Sequence, residues 1–482
     1  MRKALAILLV LVILSASGII AAHAVVNEQR DKVVISENVI YGDKTAAHGL
    51  TVTNNSSWDN RLHWNTTYTI SDNNNCETNF RFTQKREYER TARYLPSGLS
   101  FGMNVGVGMS SSHEITHEDI SHMCYGYEDI CLDVIERAPA GEEYTEIVQI
   151  SDYLDTYPLQ VYMDLPNLFG LRYDEYRDMT YVENLEGQEF YEINEVFADY
   201  FNFPVNEKDL LEVRIYKNEK GLVTELHVST LEYAMEYWIL SAVTDDAVYF
   251  VFDSGSDIDF SNAKAGCGIY CLPFGKTFEH NGAVYPTIDL EGLEMVYPLN
   301  SSVRIEKLFY DELNNNLVLI TSENGNVSLI SIDPETMETL QTLDIAKCKS
   351  EEGSECVWRV EIYEDFIFMY LSNDCIAVVE QHESGEYLLG FVAPFNPTGD
   401  EEMFWYKSAS AMAYDGDRLA VGWNNELDGT YYESCGFCIA VYDKTGLLYY
   451  GEYDSSLMTG RSSNHNGYYC SPAAYGLIIN WD

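Results

Sequence analysis

Residues 308–343 read LFYDELNNNLVLITSENGNVSLISIDPETMETLQTL, and this stretch predicts the fold of the chain. Runs rich in branched apolar residues are separated by turn formers at Asn314–Asn316, at Asn324 and Gly325, and at Asp333 and Pro334. Strands joined by such short turns lie next to one another in an antiparallel sheet. The stretch therefore predicts one sheet of three or more antiparallel strands.

Comparable units recur at residues 237–272, 360–395 and 411–453. The period is roughly 40 to 50 residues with three or four strands in each unit, which is the range of propeller blades. The sequence therefore predicts an all-β chain that forms a single β-propeller of seven blades, with six or eight blades as the alternatives.

The repeats of residues 237–482 resemble β-propellers of the WD-repeat-like and quinoprotein-like kind, with fainter units from Val33 onward. None of the four units at residues 237–272, 308–343, 360–395 and 411–453 contains a Trp-Asp signature or a sialidase Asp-box. The short sequence segments 39–43 and 62–68 also resemble uncharacterised exported proteins of gut Clostridia. Neither resemblance implies an activity.

The first half is less regular. Residues 130–150 are predicted to form a hairpin that turns at residues 139–141, and residues 212–230 a second one that turns at Lys220 and Gly221. Residues 183–203 are consistent with one acidic helix. Glycines interrupt the strand pattern in residues 85–119, which predicts a loop insertion of the kind that often carries function.

Closure of the predicted ring requires the two ends of the chain to pair. Residues 33–40 are expected to pair with residues 476–481, because a closed ring leaves no exposed strand edge. The propeller domain is expected to cover residues 25–482.

The N-terminal segment predicts export. Arg2 and Lys3 precede a charge-free apolar run over residues 4–22, and Ala22-His23-Ala24 matches a small-x-small cleavage site. Residues 1–24 are therefore interpreted as a signal peptide or as a membrane anchor, since the apolar run is long enough to span a bilayer. Either interpretation places the rest of the chain outside the cytoplasm, secreted or anchored to the membrane.

The chain has 29 basic and 77 acidic residues, and its formal net charge is -48. Such a surface repels nucleic acid and anionic lipid head groups. Contact with the membrane is therefore expected only through the N-terminal segment. The carboxylates are spread along the chain, which is typical of a surface that keeps an exported protein in solution.

The chain has 11 cysteines, an odd number. Cys348 and Cys356 flank a polar segment between two apolar runs, and a disulfide across that loop is predicted. Cys435 and Cys438 form a C-x-x-C pair, but the residues after them predict a strand, whereas the redox motif opens a helix.

His113, Glu114 and His117 match H-E-x-x-H. On a helix, two histidines at this spacing can share a zinc ion while the glutamate activates the bound water. His122, Glu118 or Asp119 could supply a third ligand. Only Ile115 anchors residues 110–119, however, and a solvated loop without zinc is the preferred interpretation. Residues 253–259 carry three aspartates at calcium-like spacing, and a turn is again preferred.

The sequence therefore predicts a non-enzymatic binding or interaction protein of the cell envelope, with no cofactor. Its ligand is a glycan, a peptide or a protein, and residues 405–406 and 431–432 are aromatic pairs that could stack against it. Two alternatives remain open at this point. One is a zinc-dependent hydrolase in which Glu114 is catalytic and His113 and His117 bind the metal. The other is a carboxylate-based glycan-active enzyme.

Overall fold

In a computed structural model of the chain, the description covers residues 2–58, 62–72, 74–83, 99–102, 105–163, 190–231, 239–252, 260–280, 283–348, 356–382, 384–395, 409–426, 433–456 and 472–481. The chain divides into two compact units. One unit contains residues 1–94 and 357–482, and the other contains residues 95–356.

The helices are α1 (Arg2–Gln29), α2 (His117–Met123), α3 (Glu128–Arg137) and α4 (Phe190–Phe201). The strands are β1 (Ile35–Gly42), β2 (Leu50–Trp58), β3 (Leu62–Thr69), β4 (Asn75–Phe82), β5 (Leu99–Gly102), β6 (Gly106–Ser110), β7 (Glu143–Gln149), β8 (Gln160–Met163), β9 (Leu210–Lys217), β10 (Val223–Leu231), β11 (Ile239–Val243), β12 (Ala247–Phe252), β13 (Gly268–His280), β14 (Ala283–Ile288), β15 (Glu294–Pro298), β16 (Arg304–Asp311), β17 (Asn316–Glu323), β18 (Asn326–Ile332), β19 (Thr339–Lys347), β20 (Val357–Ile362), β21 (Phe366–Leu371), β22 (Cys375–Gln381), β23 (Tyr387–Pro394), β24 (Ala409–Tyr414), β25 (Leu419–Glu426), β26 (Glu433–Asp443), β27 (Gly446–Ser455) and β28 (Pro472–Trp481). Across these described residues, no helix is both long enough and apolar enough to cross a membrane.

The stretch that predicts the fold forms the four-stranded antiparallel sheet β16-β17-β18-β19, so this prediction is confirmed. Glu323 pairs with Asn326, which leaves a two-residue turn whose φ angles are 50° at Asn324 and 79° at Gly325. Two positive φ angles define the hairpin turn that matches the twist of its strands, and asparagine followed by glycine tolerates them. The core of the sheet lies on both faces of β17, where residues 316–322 are all buried.

Several other sheets repeat this plan. In the unit of residues 95–356, β11-β12-β13-β14 is a meander to which β15 adds by pairing with β13. In the other unit, β20-β21-β22-β23 is a meander, and β24 to β27 form a second one. Each meander is held by antiparallel pairing of consecutive strands, as the repeated turn formers predict.

The strands at the two ends of the chain pair with other partners than expected. β28 pairs with β2 and not with residues 33–40, while β1 pairs with β27 at the edge of a different sheet. The physical reason is burial: Leu477 and Ile479 of β28 are buried in the core shared with Val52 and Val441. β1 instead exposes Val39 and Ile40 along an outer edge, so it could not fill an inner position.

Of the two hairpins expected in the first half, one is wrong and one is confirmed. Residues 130–150 do not form a hairpin, because α3 begins at Glu128 and buries Ile130, Cys131 and Val134 at helical spacing. The helix ends at Arg137, before Ala138 and Pro139, since a residue ahead of proline avoids helical backbone. The hairpin at residues 212–230 is confirmed as β9 and β10.

The predicted loop at residues 85–119 contains regular structure in its described part. β5 pairs with β8, and β6 joins β10 at the edge of the sheet β6-β10-β9-β7. Glycines weaken a strand by propensity, but pairing with β10 overrides that preference. The expected acidic helix appears as α4, whose Phe197 and Phe201 pack on Phe250. The part of that expectation before residue 190 lies outside the described residues.

Candidate functional site

The H-E-x-x-H stretch precedes a helix instead of forming one. Thr116 is the N-cap of α2, which begins at His117. The Thr116 hydroxyl accepts a hydrogen bond from the Asp119 N–H (3.2 Å), and the Asp119 carboxylate accepts one from the Thr116 N–H (2.8 Å). This capping box sets the start of the helix. The helical spacing of His113 and His117 that the zinc alternative assumes is therefore not formed.

The surroundings of these residues are those of a helix start. Hydrogen bonds from Thr116 lower the pKa of the Asp119 carboxyl. Nδ1 of His117 lies 3.4 Å from the Ser121 hydroxyl, and Ile115 is buried in the core. Among the described residues there is no group of three or more His, Cys, Asp or Glu side chains that could hold a metal ion. The absence of zinc at His113 and His117 stays a prediction, with metal binding there and a catalytic Glu114 as its alternative. The calcium-like residues 253–259 lie outside the described part.

Cys348 and Cys356 are brought together. Both are buried, and the Cys348 thiol lies 3.6 Å from the Cys356 carbonyl oxygen. The disulfide between them stays a prediction. The strand predicted for the residues after the C-x-x-C pair is confirmed as β26, which also contains Cys435 and Cys438.

One exposed aromatic residue that the sequence analysis did not select lies on β20. Residues 405–406 and 431–432 lie outside the described part of the chain. Trp358 at the start of β20 is 49% exposed, and its ring lies 5.1 Å from that of Tyr370. Tyr370 is almost fully buried, packs edge-on against Phe395 and donates its hydroxyl hydrogen to the Asp374 carboxylate (3.0 Å). We call Trp358 with these three supporting residues the Trp358 platform.

A charged pair follows the platform along the same strand. Nε of Arg359 donates to Oε1 of Glu361 (3.0 Å), and the Tyr363 hydroxyl donates to Oε2 (2.8 Å). The guanidinium is therefore already neutralised by a carboxylate. The platform thus presents one flat apolar ring beside a satisfied polar network.

The same R-x-E spacing occurs in β16. Glu306 accepts hydrogen bonds from the Ser322 hydroxyl (2.6 Å) and the Cys356 N–H (3.4 Å), and Arg304 lies 3.9 Å from it. The repetition of R-x-E in two successive repeats was the sequence signal that could have directed attention to β20. Trp358 itself directly precedes the second copy of that pattern.

No protein-family profile and no curated protein sequence matches the chain. Among solved structures, a Lactobacillus plantarum protein matches with 10% identity and a TM-score of 0.24, covering 53% of this chain and 64% of its own. A candidate 6-phosphogluconolactonase from Bacteroides fragilis matches with 12% identity and a TM-score of 0.27, covering 51% and 67%.

The WD40 domain of SCAP from fission yeast matches with 8% identity and a TM-score of 0.21, covering 88% of each chain. The chain thus covers only about two thirds of the first two proteins. Similarities at these TM-scores carry no argument about activity.

Proposed function

We propose that this protein is an extracytoplasmic, non-enzymatic binding protein of the cell envelope, and that the Trp358 platform contacts its ligand. The observation that carries the proposal is the exposure of Trp358, 49%, above a buried and hydrogen-bonded Tyr370. An exposed indole is a large apolar surface that gains free energy when a ligand covers it.

The residues that pack beneath Trp358 make the platform suited to binding. Tyr370 is fixed by Asp374 at its hydroxyl and by Phe395 at its ring edge, so the indole of Trp358 rests on a rigid layer. A rigid contact surface loses little conformational entropy when it binds. The net charge of -48 favours a neutral glycan or a cationic peptide or protein as the ligand, and disfavours nucleic acid.

The binding role goes together with a β-propeller arrangement of the sheets, which we also propose. Within the described residues, four meanders of consecutive strands and the sheet β28-β2-β3-β4 support it. In the last of these, a strand from the end of the chain completes a sheet from its beginning, a pairing suited to closing a ring. The sheet β6-β10-β9-β7 departs from the meander order, and counting it gives six blades, one of the alternatives to seven. An experimental structure with an open sandwich would contradict the arrangement.

Export is proposed from residues 1–24. N-terminal sequencing of secreted protein should begin near Val25, and full-length protein recovered in membranes would indicate the anchor instead. Recovery of the full-length chain in the cytosol would contradict both.

The ligand contact is tested with a printed array of neutral glycans and with a lysine-rich peptide, each probed with the purified mature chain. We expect binding to one of these probes, and a loss of at least tenfold in affinity in Trp358→Ala. Leu340→Ala is the matched control, because Leu340 is also an exposed apolar strand residue and is expected to leave binding unchanged.

Equal affinity of the Trp358→Ala and Leu340→Ala variants would contradict a role for the platform. Turnover of a polysaccharide or peptide that one carboxylate or histidine substitution abolishes would show that the protein is an enzyme.

A further inference from the structure

Two buried cysteines meet where α2 passes into α3. Cys124 is the C-cap of α2 and Cys131 lies in the first half of α3, and neither side chain is exposed to solvent. Both belong to one apolar core together with Ile120, Val134 and Leu211. Thiols in such a core are shielded from solvent once the unit has folded.

The backbone holds the two residues in a fixed relation. The Cys124 N–H donates to the Ile120 carbonyl (2.8 Å), the Tyr127 N–H donates to the Cys124 carbonyl (2.7 Å), and the Cys131 N–H donates to the Tyr127 carbonyl (3.1 Å). A tight turn over residues 124–127, with φ at 77° for Gly126, thus connects the end of α2 to the start of α3. The two thiols are in hydrogen-bond contact with each other.

The contact has a polarity. The hydrogen bond between the two thiols raises the pKa of Cys131 and lowers the pKa of Cys124. A thiol with the lower pKa forms the thiolate that attacks a disulfide, and its neighbour then completes the exchange. The carboxylate of Glu128 lies close by, and its buried Oε2 atom has no hydrogen-bond partner among the residues that the structure describes.

We propose that Cys124 and Cys131 are oxidised to an intramolecular disulfide that ties the end of α2 to α3. The two thiols lose two protons and two electrons and form one S–S bond. The oxidant is a disulfide of the thiol–disulfide exchange class, which is reduced to two thiols. This pairing is independent of ligand binding and takes the extracytoplasmic location proposed above as its oxidising environment.

Burial of both sulfurs has two consequences. The bond must form before the core closes around it, so oxidation accompanies folding. Once formed, it should resist a thiol reductant in the folded protein and become reducible only after denaturation.

The test refolds the purified full chain in a buffer of oxidised and reduced glutathione, alkylates it under denaturing conditions without further reductant, and maps the peptides by mass spectrometry. We expect a linked peptide that contains Cys124 and Cys131, absent from Cys124→Ser and present in Cys438→Ser, a control at another buried cysteine. Alkylation of both Cys124 and Cys131 in the refolded wild-type chain overturns the pairing.

A second measurement keeps the result separate from the question of export. The same mapping is applied to protein taken directly from cells. A linked pair there supports both the disulfide and the oxidising compartment. If the pair is linked after refolding but both thiols are alkylated in the cellular protein, the pairing is still supported. That result contradicts only the proposed export. If Cys124→Ser does not fold, Cys131→Ala takes its place in the refolding assay, where it should likewise lack the linked peptide.

Discussion

The guanidinium of Arg418 lies over the indole ring of Trp481, 4.2 Å from its centroid. Trp481 is the last residue of β28, and its Nε1–H donates to the Ala413 carbonyl (3.2 Å). Arg418 also donates to the Ala46 carbonyl (2.8 Å) and forms an ion pair with Asp415 (2.7 Å). These contacts fasten the C-terminal strand to a hairpin turn and to residues near the N-terminus.

Loss of this contact should destabilise the protein. Trp481→Ala removes packing, a cation–π contact and a hydrogen bond, and we expect it to cost about 3 kcal/mol of unfolding free energy. Arg418→Ala should cost about 1 kcal/mol. Urea denaturation measures both, and the double variant should cost less than the sum, because the two residues share one contact. Strictly additive losses would show that the contact contributes nothing.

Removal of the Tyr68 hydroxyl should not destabilise the protein at neutral pH. Tyr68 is buried, and its hydroxyl oxygen has no hydrogen-bond partner in the described part of the chain. Tyr68→Phe should therefore leave the unfolding free energy unchanged or raise it by up to about 1 kcal/mol. Tyr449→Phe is the matched control, because that hydroxyl bonds to Glu37 (2.9 Å) and Tyr453 (2.7 Å), and its loss should cost about 1 to 2 kcal/mol.

The same residue predicts a dependence on alkaline pH. Burial raises the pKa of Tyr68 to about 12, from an unfolded value near 10. The folded state therefore keeps a proton that the unfolded state loses, so this stabilisation is fully present below about pH 10 and is lost as the pH rises to about 12. Wild type should lose roughly 2 kcal/mol more than Tyr68→Phe across this window in urea titrations. Parallel losses would mean that Tyr68 titrates at its ordinary pKa.

The capping box of α2 predicts a local energetic effect. Thr116→Ala removes the side-chain acceptor for the Asp119 N–H and should lower the unfolding free energy by about 1 kcal/mol. Ser121→Ala, inside the same helix, is the control and should stay within about 0.5 kcal/mol of wild type. If both substitutions have the same effect, the helix start does not depend on Thr116.

Metal analysis tests the zinc alternative directly. Because α2 begins at His117, we expect well under one zinc ion per purified chain, with the content unchanged in His113→Ala. His382→Ala, at a histidine distant in the sequence, controls for non-specific binding. One tight zinc per chain, lost in His113→Ala together with a peptidase activity, would establish the hydrolase.

Local sequence signals predicted much of the sheet structure. The turn at Asn324 and Gly325 and the hairpin at residues 212–230 were predictable because backbone conformation at a short turn depends on the residues in it. The helix α3 was missed because Ile130, Cys131 and Val134 fit a short strand run as well as a helix, and periodicity over so few residues does not separate them. The pairing of β6 with β10 was missed because glycine-rich strands have weak propensity and depend on their partner.

The candidate site shows the same division. The histidines were found as a motif, but only the cap at Thr116 shows that they do not share a helical face. Trp358 was overlooked because the exposure of a side chain depends on the folded surface and cannot be deduced from residue type.

The sequence by itself determined the strand-rich class of this protein, the positions of many of its turns and its strongly negative charge, because each follows from residue type and short-range backbone preference. Tertiary structure alone decided that β28 pairs with β2, that Cys124 meets Cys131, and that Trp358 stays exposed above Tyr370. Each of these contacts depends on how distant parts of the chain pack together. Packing is selected by the burial of many side chains at once, and no local sequence pattern specifies it.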